Sequence, residues 1–275
     1  MAFKDIIVHV DDSSRAAIRY DIALDLVAMH QAHLVALNVR SHANIPAIIT
    51  AQFGAEVDAM LEQSDAEAAA VAKAMVDGRS AATGVAVEWR DVSGDSTDMV
   101  ALHGRYSDLV VVGQTEPDDD LARPQPASLI LELGRPLLVV PYAGRFPTVG
   151  RRVLVAWNGG REAARAVHDA LPLLVGAEIV HVVAINPGHA RDGLGDIPGG
   201  DICCHLSRHG VRSQCESIRS DDLKVGEMLL SRAADENVDL IVMGGYGRSR
   251  LREMVLGGAT RHLLEHMTAP VLFSH

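Results

Sequence analysis

Cysteine is scarce in this chain of 275 residues: only three occur, which implies no disulfide framework. No run approaches the roughly 18 consecutive apolar residues that cross a bilayer, and the amino terminus lacks the layout of a signal peptide. The expectation is a soluble, cytoplasmic protein with no membrane partner. Positive charge is also short, because the net charge is −11 and no long basic tract occurs; that opposes non-specific nucleic-acid binding. The usual catalytic signatures are missing as well. There is no G-x-S-x-G elbow and no H-E-x-x-H pair, and the stretch from Gly244 to Gly258 contains no lysine of the Walker type. Binding is therefore favoured over catalysis.

What is present concentrates between Asp239 and Thr260. Leu240 to Met243 is a short apolar run of the kind found in strands buried on both faces of a parallel sheet. It leads into Gly244, Gly245 and Gly247, where the backbone can approach a ligand closely. A second pair, Gly257-Gly258, precedes the helical pattern Thr260 to Met267. Two glycines inside a helix would cost about 1 kcal/mol each, so they are placed at its start, where free N–H groups and the helix dipole favour an anion. Arg248, Arg250, Arg252 and Arg261 face one acid, Glu253, between residues 248 and 261. A basic island on an acidic chain favours a small polyanion over bulk nucleic acid.

The spacing Gly244-x2-Gly247-x9-Gly257 resembles the nucleotide loop of the universal stress protein family, in its ATP-binding branch. That loop continues with Ser or Thr; here Gly258 stands in its place, with Ala259 and Thr260 following, and Thr260 still offers an oxygen. The resemblance implies ATP or a related adenine nucleotide as ligand, with Mg2+ as its companion ion. It further implies that Ala156, Trp157 and Asn158 close the first strand of the site, that the backbone of Ala184 meets the adenine, and that Met243 packs the base edge. ATP-binding members carry an aspartate where this chain has Asn158, whose amide can still donate and accept hydrogen bonds. From its position alone, Asn158 reads equally as a turn or helix-capping residue. The expected contacts are then Ala156, Trp157, Asn158, Ala184, Met243, Gly244, Gly247, Arg248, Gly257, Gly258, Ala259 and Thr260.

The chain repeats itself. Lys4 to Asp12 and Arg151 to Gly159 share a basic start, an apolar strand and a polar turn; Asp108 to Gly113 mirrors Asp239 to Gly244; Arg135 to Val140 mirrors Ala269 to Phe273. Three matches in the same order mean a duplicated unit. The boundary falls in the connector 142–150, giving domains 1–146 and 147–275 of an α/β, Rossmann-like type. Each half is expected to read β-α-β-α-β-α-β-α-β, with strands near 4–11, 33–40, 85–91, 108–113 and 136–142, then 151–158, 178–185, 212–219, 239–244 and 270–274. Helices are expected near 13–30, 56–79, 95–105 and 125–133, then 161–175, 201–209, 224–236 and 258–267. Apolar strands without a polar face imply a parallel sheet covered on both sides. The family resemblance supplies the strand order 3-2-1-4-5, which puts the first and fourth strands at the switch point. It also implies that the fifth strands join the halves as an internal pseudo-dimer, with a homodimer as a further level of assembly. The first copy is 16 residues longer before its fourth strand, an excess assigned to residues 41–60.

The first half has a different loop. After Gly113 no glycine follows until Gly134, and Glu116, Asp118, Asp119 and Asp120 oppose Arg123, a combination that repels phosphate. Asp11 keeps the acidic position, read as a cap for the helix from Ser13 onward. One nucleotide site per chain is expected. Cys203, Cys204, His205 and His209, with Cys215 beyond, could ligate zinc or copper, yet no second ligand pair at finger-like spacing accompanies them; no metal site is assigned. Two readings stay open beside nucleotide-regulated stress response: a stress-response protein that binds no nucleotide and works through protein contacts, and a slow ATP hydrolase.

Overall fold

The computed structural model describes residues 2–41, 47–116, 123–185, 199–219, 224–246 and 258–275, with backbone alone for 47–53 and 55–58. Two apolar runs ending in glycine form the strands β4 (Leu109–Gly113) and β9 (Leu240–Gly244), buried along almost their whole length. The aspartate preceding each run has a structural task. Asp108 Oδ2 accepts the backbone N–H of Lys4 at 2.6 Å and of Asp5 at 3.2 Å, where β1 (Asp5–Val10) begins. Asp239 accepts those of Gly150, Arg151 and Arg152 at 3.0, 3.2 and 3.0 Å, where β6 (Arg152–Ala156) begins. In both halves a carboxylate ties the fourth strand to the first, so the repeated aspartates sit at matching places.

The remaining strands are β2 (His33–Arg40), β3 (Val87–Ser93), β5 (Leu137–Val140), β7 (Ile179–Ile185), β8 (Ser213–Ile218) and β10 (Val271–Ser274). The helices are α1 (Ala16–His30), α2 (Ala47–Thr83), α3 (Ser96–Gly104), α4 (Pro126–Glu132), α5 (Arg161–Leu174), α6 (Gly200–Arg208), α7 (Val225–Asp235) and α8 (Gly258–His266). All ten strands form one sheet of order β3-β2-β1-β4-β5-β10-β9-β6-β7-β8. Every pairing is parallel except β5 with β10, which run antiparallel with Leu138 opposite Leu272. The fold is thus α/β with a mostly parallel sheet.

Alternation along the buried strands divides the interior into two layers. Ile6, Val8, Val153, Val155 and Leu272 pack under Tyr20 and Val27 of α1, Val76 of α2, Val167 and Leu171 of α5 and Leu206 of α6. Ile7, Leu154, Ile241 and Phe273 pack under Val100 of α3, Ile130 of α4, Leu229 of α7 and Leu263 of α8. Two expectations need correction. The outermost strands do have a polar face: β3 (VEWRDVS) and β8 (SQCESI) alternate between half-buried and exposed positions, because each has a neighbour on one side only. And α2 begins at Ala47 rather than near 56, so much of the extra length of the first copy extends a helix of 37 residues.

The halves are braced across the β5–β10 seam in both directions. The Gln114 side chain donates to Leu264 O at 2.8 Å, and the Tyr246 hydroxyl donates to Ala127 O at 2.8 Å. Gly245 sits under α4, so that a Cβ placed there would overlap Ile130 Cγ2.

Candidate functional site

At the carboxyl ends of β6 and β9, adjacent parallel strands, the chain turns away in opposite senses and leaves a crevice, the usual place for a ligand in an open α/β sheet. Ala156, Trp157, Asn158, Glu162, Ala163, Val183, Ile185, Val225, Leu229, Met243, Gly244 and Ala259 form its walls. Much of the lining is apolar, from Val183, Ile185, Val225, Leu229 and Met243. The first turn of α8 borders it, where Gly258 is exposed and Ala259 half-buried. An α-helix leaves its first amides without intrahelical partners, which suits phosphoryl oxygens.

Of the residues expected from sequence, Ala156, Trp157, Asn158, Met243, Gly244 and Ala259 come together in this wall, with Gly258 and Thr260 in the adjoining turn. Gly247, Arg248 and Gly257 lie outside the described residues. Ala184 is buried; its neighbours Val183 and Ile185 supply the wall, so only its backbone could meet a ligand. Thr260 is buried too, and its hydroxyl accepts the N–H of Tyr246 at 3.5 Å, keeping its own proton to donate. Asn158 Oδ1 accepts the N–H of Gly160 at 2.8 Å, bracing the turn into α5, while its amide NH2 is at the surface. The turn role considered for this residue is therefore present, leaving the amide as a donor. Arg261, one of the basic island, is exposed and pairs with Glu265 at 2.7 Å.

Gly244 owes its small size to the scaffold. A Cβ on it would stand 2.5 Å from Glu162 C and 2.6 Å from Ala163 N, inside the first turn of α5. That close approach brings a residue unremarked in the sequence into the site. Glu162 is 5% exposed. Its Oε1 accepts the Arg161 guanidinium at 2.7 Å, whereas Oε2 is buried without a hydrogen-bond partner. Burial alone would raise its pKa; the Arg161 hydrogen bond, a backbone hydrogen bond and the charges of Arg161 and His275 outweigh it and leave the carboxyl below its ordinary value. Glu162 is thus an ionised, half-satisfied acceptor on the crevice wall. As one of two charged residues in the first turn of an ordinary amphipathic helix, it gave no sequence signal.

The equivalent place in the first half is built differently. Asp11, His9, Arg19, Gly113, Gln114, Thr115, Arg123 and Gln125 surround a small hollow. Arg19, 4% exposed, donates to Asp11 Oδ2 at 2.8 Å and to His9 O at 3.3 Å, and its Nη1 is 2.8 Å from where a Gly113 Cβ would be. Arg123 Nε and His9 Nδ1 lie 3.7 and 3.8 Å from Asp11 Oδ2. Asp11 also accepts from the Ser13 N–H at 3.0 Å and from its hydroxyl, while Ser13 Oγ accepts the N–H of Ala16. Asp11 thus caps the turn leading to α1 and anchors an internal ion pair. Burial opposes its charge, yet Arg19, His9 and Ser13 together hold its pKa well below the ordinary range.

Cys203 is half-buried on α6, Cys204 and Cys215 are exposed, and the His205 and His209 rings lie 4.7 Å apart. Among the described residues no three His, Cys, Asp or Glu side chains are grouped so as to hold a metal. Burial pushes the Cys203 thiol up to about 11, which keeps the free thiol protonated at neutral pH. Among the described residues no helix is long and apolar enough to cross a membrane.

Comparison with known proteins adds the following. Residues 150–275 match the family described as the Universal stress protein family. The chain is 39% identical over 46 residues to universal stress protein MJ0577 of Methanocaldococcus jannaschii, covering 17% of this chain and 28% of that one. It is 27% identical over 152 residues to universal stress protein Slr1230 of Synechocystis, covering 52% and 48%. It therefore spans about half or less of the curated relatives it matches. The crystal structure of a universal stress protein from Archaeoglobus fulgidus superposes on 98% of this chain and 95% of its own, with a TM-score of 0.73 at 13% identity, a likeness of fold.

Proposed function

We propose that this chain, which belongs to the universal stress protein family through residues 150–275, binds ATP or a related adenine nucleotide as a regulatory ligand in the second of two units, 147–275. The observation that carries the reading is the crevice between β6 and β9, lined by Val183, Ile185, Leu229 and Met243 and bordered by Ala259 in the first turn of α8. A flat base suits the apolar lining and a phosphate chain the helix amino terminus, which matches the ligand that the glycine spacing suggests. Mg2+ would enter with the phosphates, since Glu162 is the one carboxylate in the wall among the described residues. The first unit, 1–146, works without nucleotide on this reading, because the Arg19–Asp11 pair takes up the corresponding space.

Equilibrium dialysis with labelled ATP tests it. Wild type should show one saturable site per chain. Gly258→Asp should bind at least about 10-fold more weakly, because a carboxylate would stand at the amides meant for phosphate. Among the described residues nothing lies within 4 Å of the Gly258 Cβ position, so the added side chain should leave the fold intact, to be checked by an unchanged circular dichroism melt. No saturable binding by wild type would end the reading in favour of a protein that acts through protein contacts alone.

A further inference from the structure

An ionised carboxylate oxygen without a partner, nine-tenths buried, is costly wherever nothing donates to it. Glu162 Oε2 is such an atom, and its surroundings say what would relieve it. Gly160 has no side chain, and the point its Cβ would occupy lies 3.2 Å from Glu162 Oε2 and 2.9 Å from Asn158 Oδ1. Two acceptor oxygens thus stand close together at the start of α5, and both residues line the crevice. A phosphate cannot settle there, since its charge would meet that of Glu162 at close range. A hydroxyl group can, because it donates.

Two acceptors side by side narrow the donor. The wall takes Val183 and Ile185 from β7 and Val225 and Leu229 from α7, and Glu162 stands against Gly244 where β6 and β9 meet. In a nucleotide the uncharged donors that occur as an adjacent pair are the sugar hydroxyls. We infer that Glu162, with Asn158 beside it, recognises the sugar hydroxyls of the bound nucleotide and makes the site selective for ribonucleotides, an inference that rests on the nucleotide reading above. Ionisation at neutral pH leaves the carboxylate as acceptor only, in keeping with that role.

The test is competition for the labelled ATP site by ATP and by 2′,3′-dideoxy-ATP, which keeps base and phosphates but lacks both hydroxyls. Wild type should prefer ATP by about 10- to 100-fold, the worth of one hydrogen bond to a charged group. Glu162→Gln, nearly the same shape, should lose most of that preference, read as the ratio of the two affinities within each protein. Equal affinity of wild type for the two compounds would overturn the role of Glu162 and leave the nucleotide site standing. A preference that Glu162→Gln keeps in full would also overturn it. Failure of wild type to bind either compound would remove the nucleotide reading itself and this inference with it.

Discussion

Gly244→Ala is expected to destabilise the protein by about 3 kcal/mol and to lower its melting temperature by on the order of 10 °C, whereas Gly258→Ala should match wild type or exceed it by up to about 1 kcal/mol. Both glycines belong to the same glycine-rich stretch, and composition alone would treat them alike. The structure separates them. A methyl group on Gly244 meets the backbone of Glu162 and Ala163 at 2.5 and 2.6 Å, so α5 itself would have to move, and backbone cannot rotate aside as a side chain can. The same movement would part β6 from β9 at the crevice, so ATP affinity should fall together with stability. Gly258, in the first turn of α8, has no described neighbour within 4 Å of its Cβ position, and alanine is the better helix former there. Urea denaturation of the three proteins decides it. If Gly244→Ala unfolds at the same midpoint as wild type, the close approach of β9 to α5 is not as described.

Acid should weaken the protein through His9. Its ring is 4% exposed on β1. Burial, the largest influence, lowers its pKa from 6.5 to about 4; Asp11 pulls it up, and Arg19 and Arg123 push it down. These are the charged groups that face it. The unfolded chain therefore takes up a proton near pH 6.5 that the folded chain refuses until about pH 4. The stabilisation is complete above pH 6.5 and is lost as pH falls through that window, amounting to about 3 kcal/mol at the acid end. Asp11 acts in the same direction further down: its carboxyl is held below the ordinary 3.8, so its contribution disappears only in stronger acid. Stability measured by denaturant at intervals from pH 7.5 to 4 should fall more steeply in wild type than in His9→Asn. Parallel curves would show that the His9 ring is not kept neutral by its setting.

Most of the secondary structure was legible because the strands are short apolar runs between polar turns, and the repeat doubled each signal. Asp108 to Gly113 and Asp239 to Gly244 announced two buried strands, and both are there. The start of α2 lies earlier than expected: Asn44 and Pro46, residue types that open helices, precede Ala47, but local pattern could not weigh a helix of 37 residues. The site was legible only in part. Asn158, Met243, Gly244 and Ala259 were expected through the family resemblance that the local glycine spacing carries, and all four line the crevice. Glu162 was not, because its meaning comes from the burial of one oxygen. Gly245 was read as freedom for the backbone to approach a ligand, whereas its smallness accommodates Ile130 of the other half. Tyr246 likewise takes φ = 49°, uncommon for a residue with a side chain, while its hydroxyl reaches Ala127, 119 positions earlier. Contacts at such separation leave no periodicity to read.

The antiparallel seam between β5 and β10 has a further consequence. Two separate chains meeting through the same strands would part on dilution, and the joined fraction would follow their abundance. Here both strands belong to one polypeptide whose halves are linked by the short stretch 141–151 between β5 and β6, and a short tether holds its ends at an effective concentration of order millimolar. The joined state is thereby independent of how much protein a cell makes. Each side can also change its residues without the same change appearing opposite, a freedom that identical partners never have.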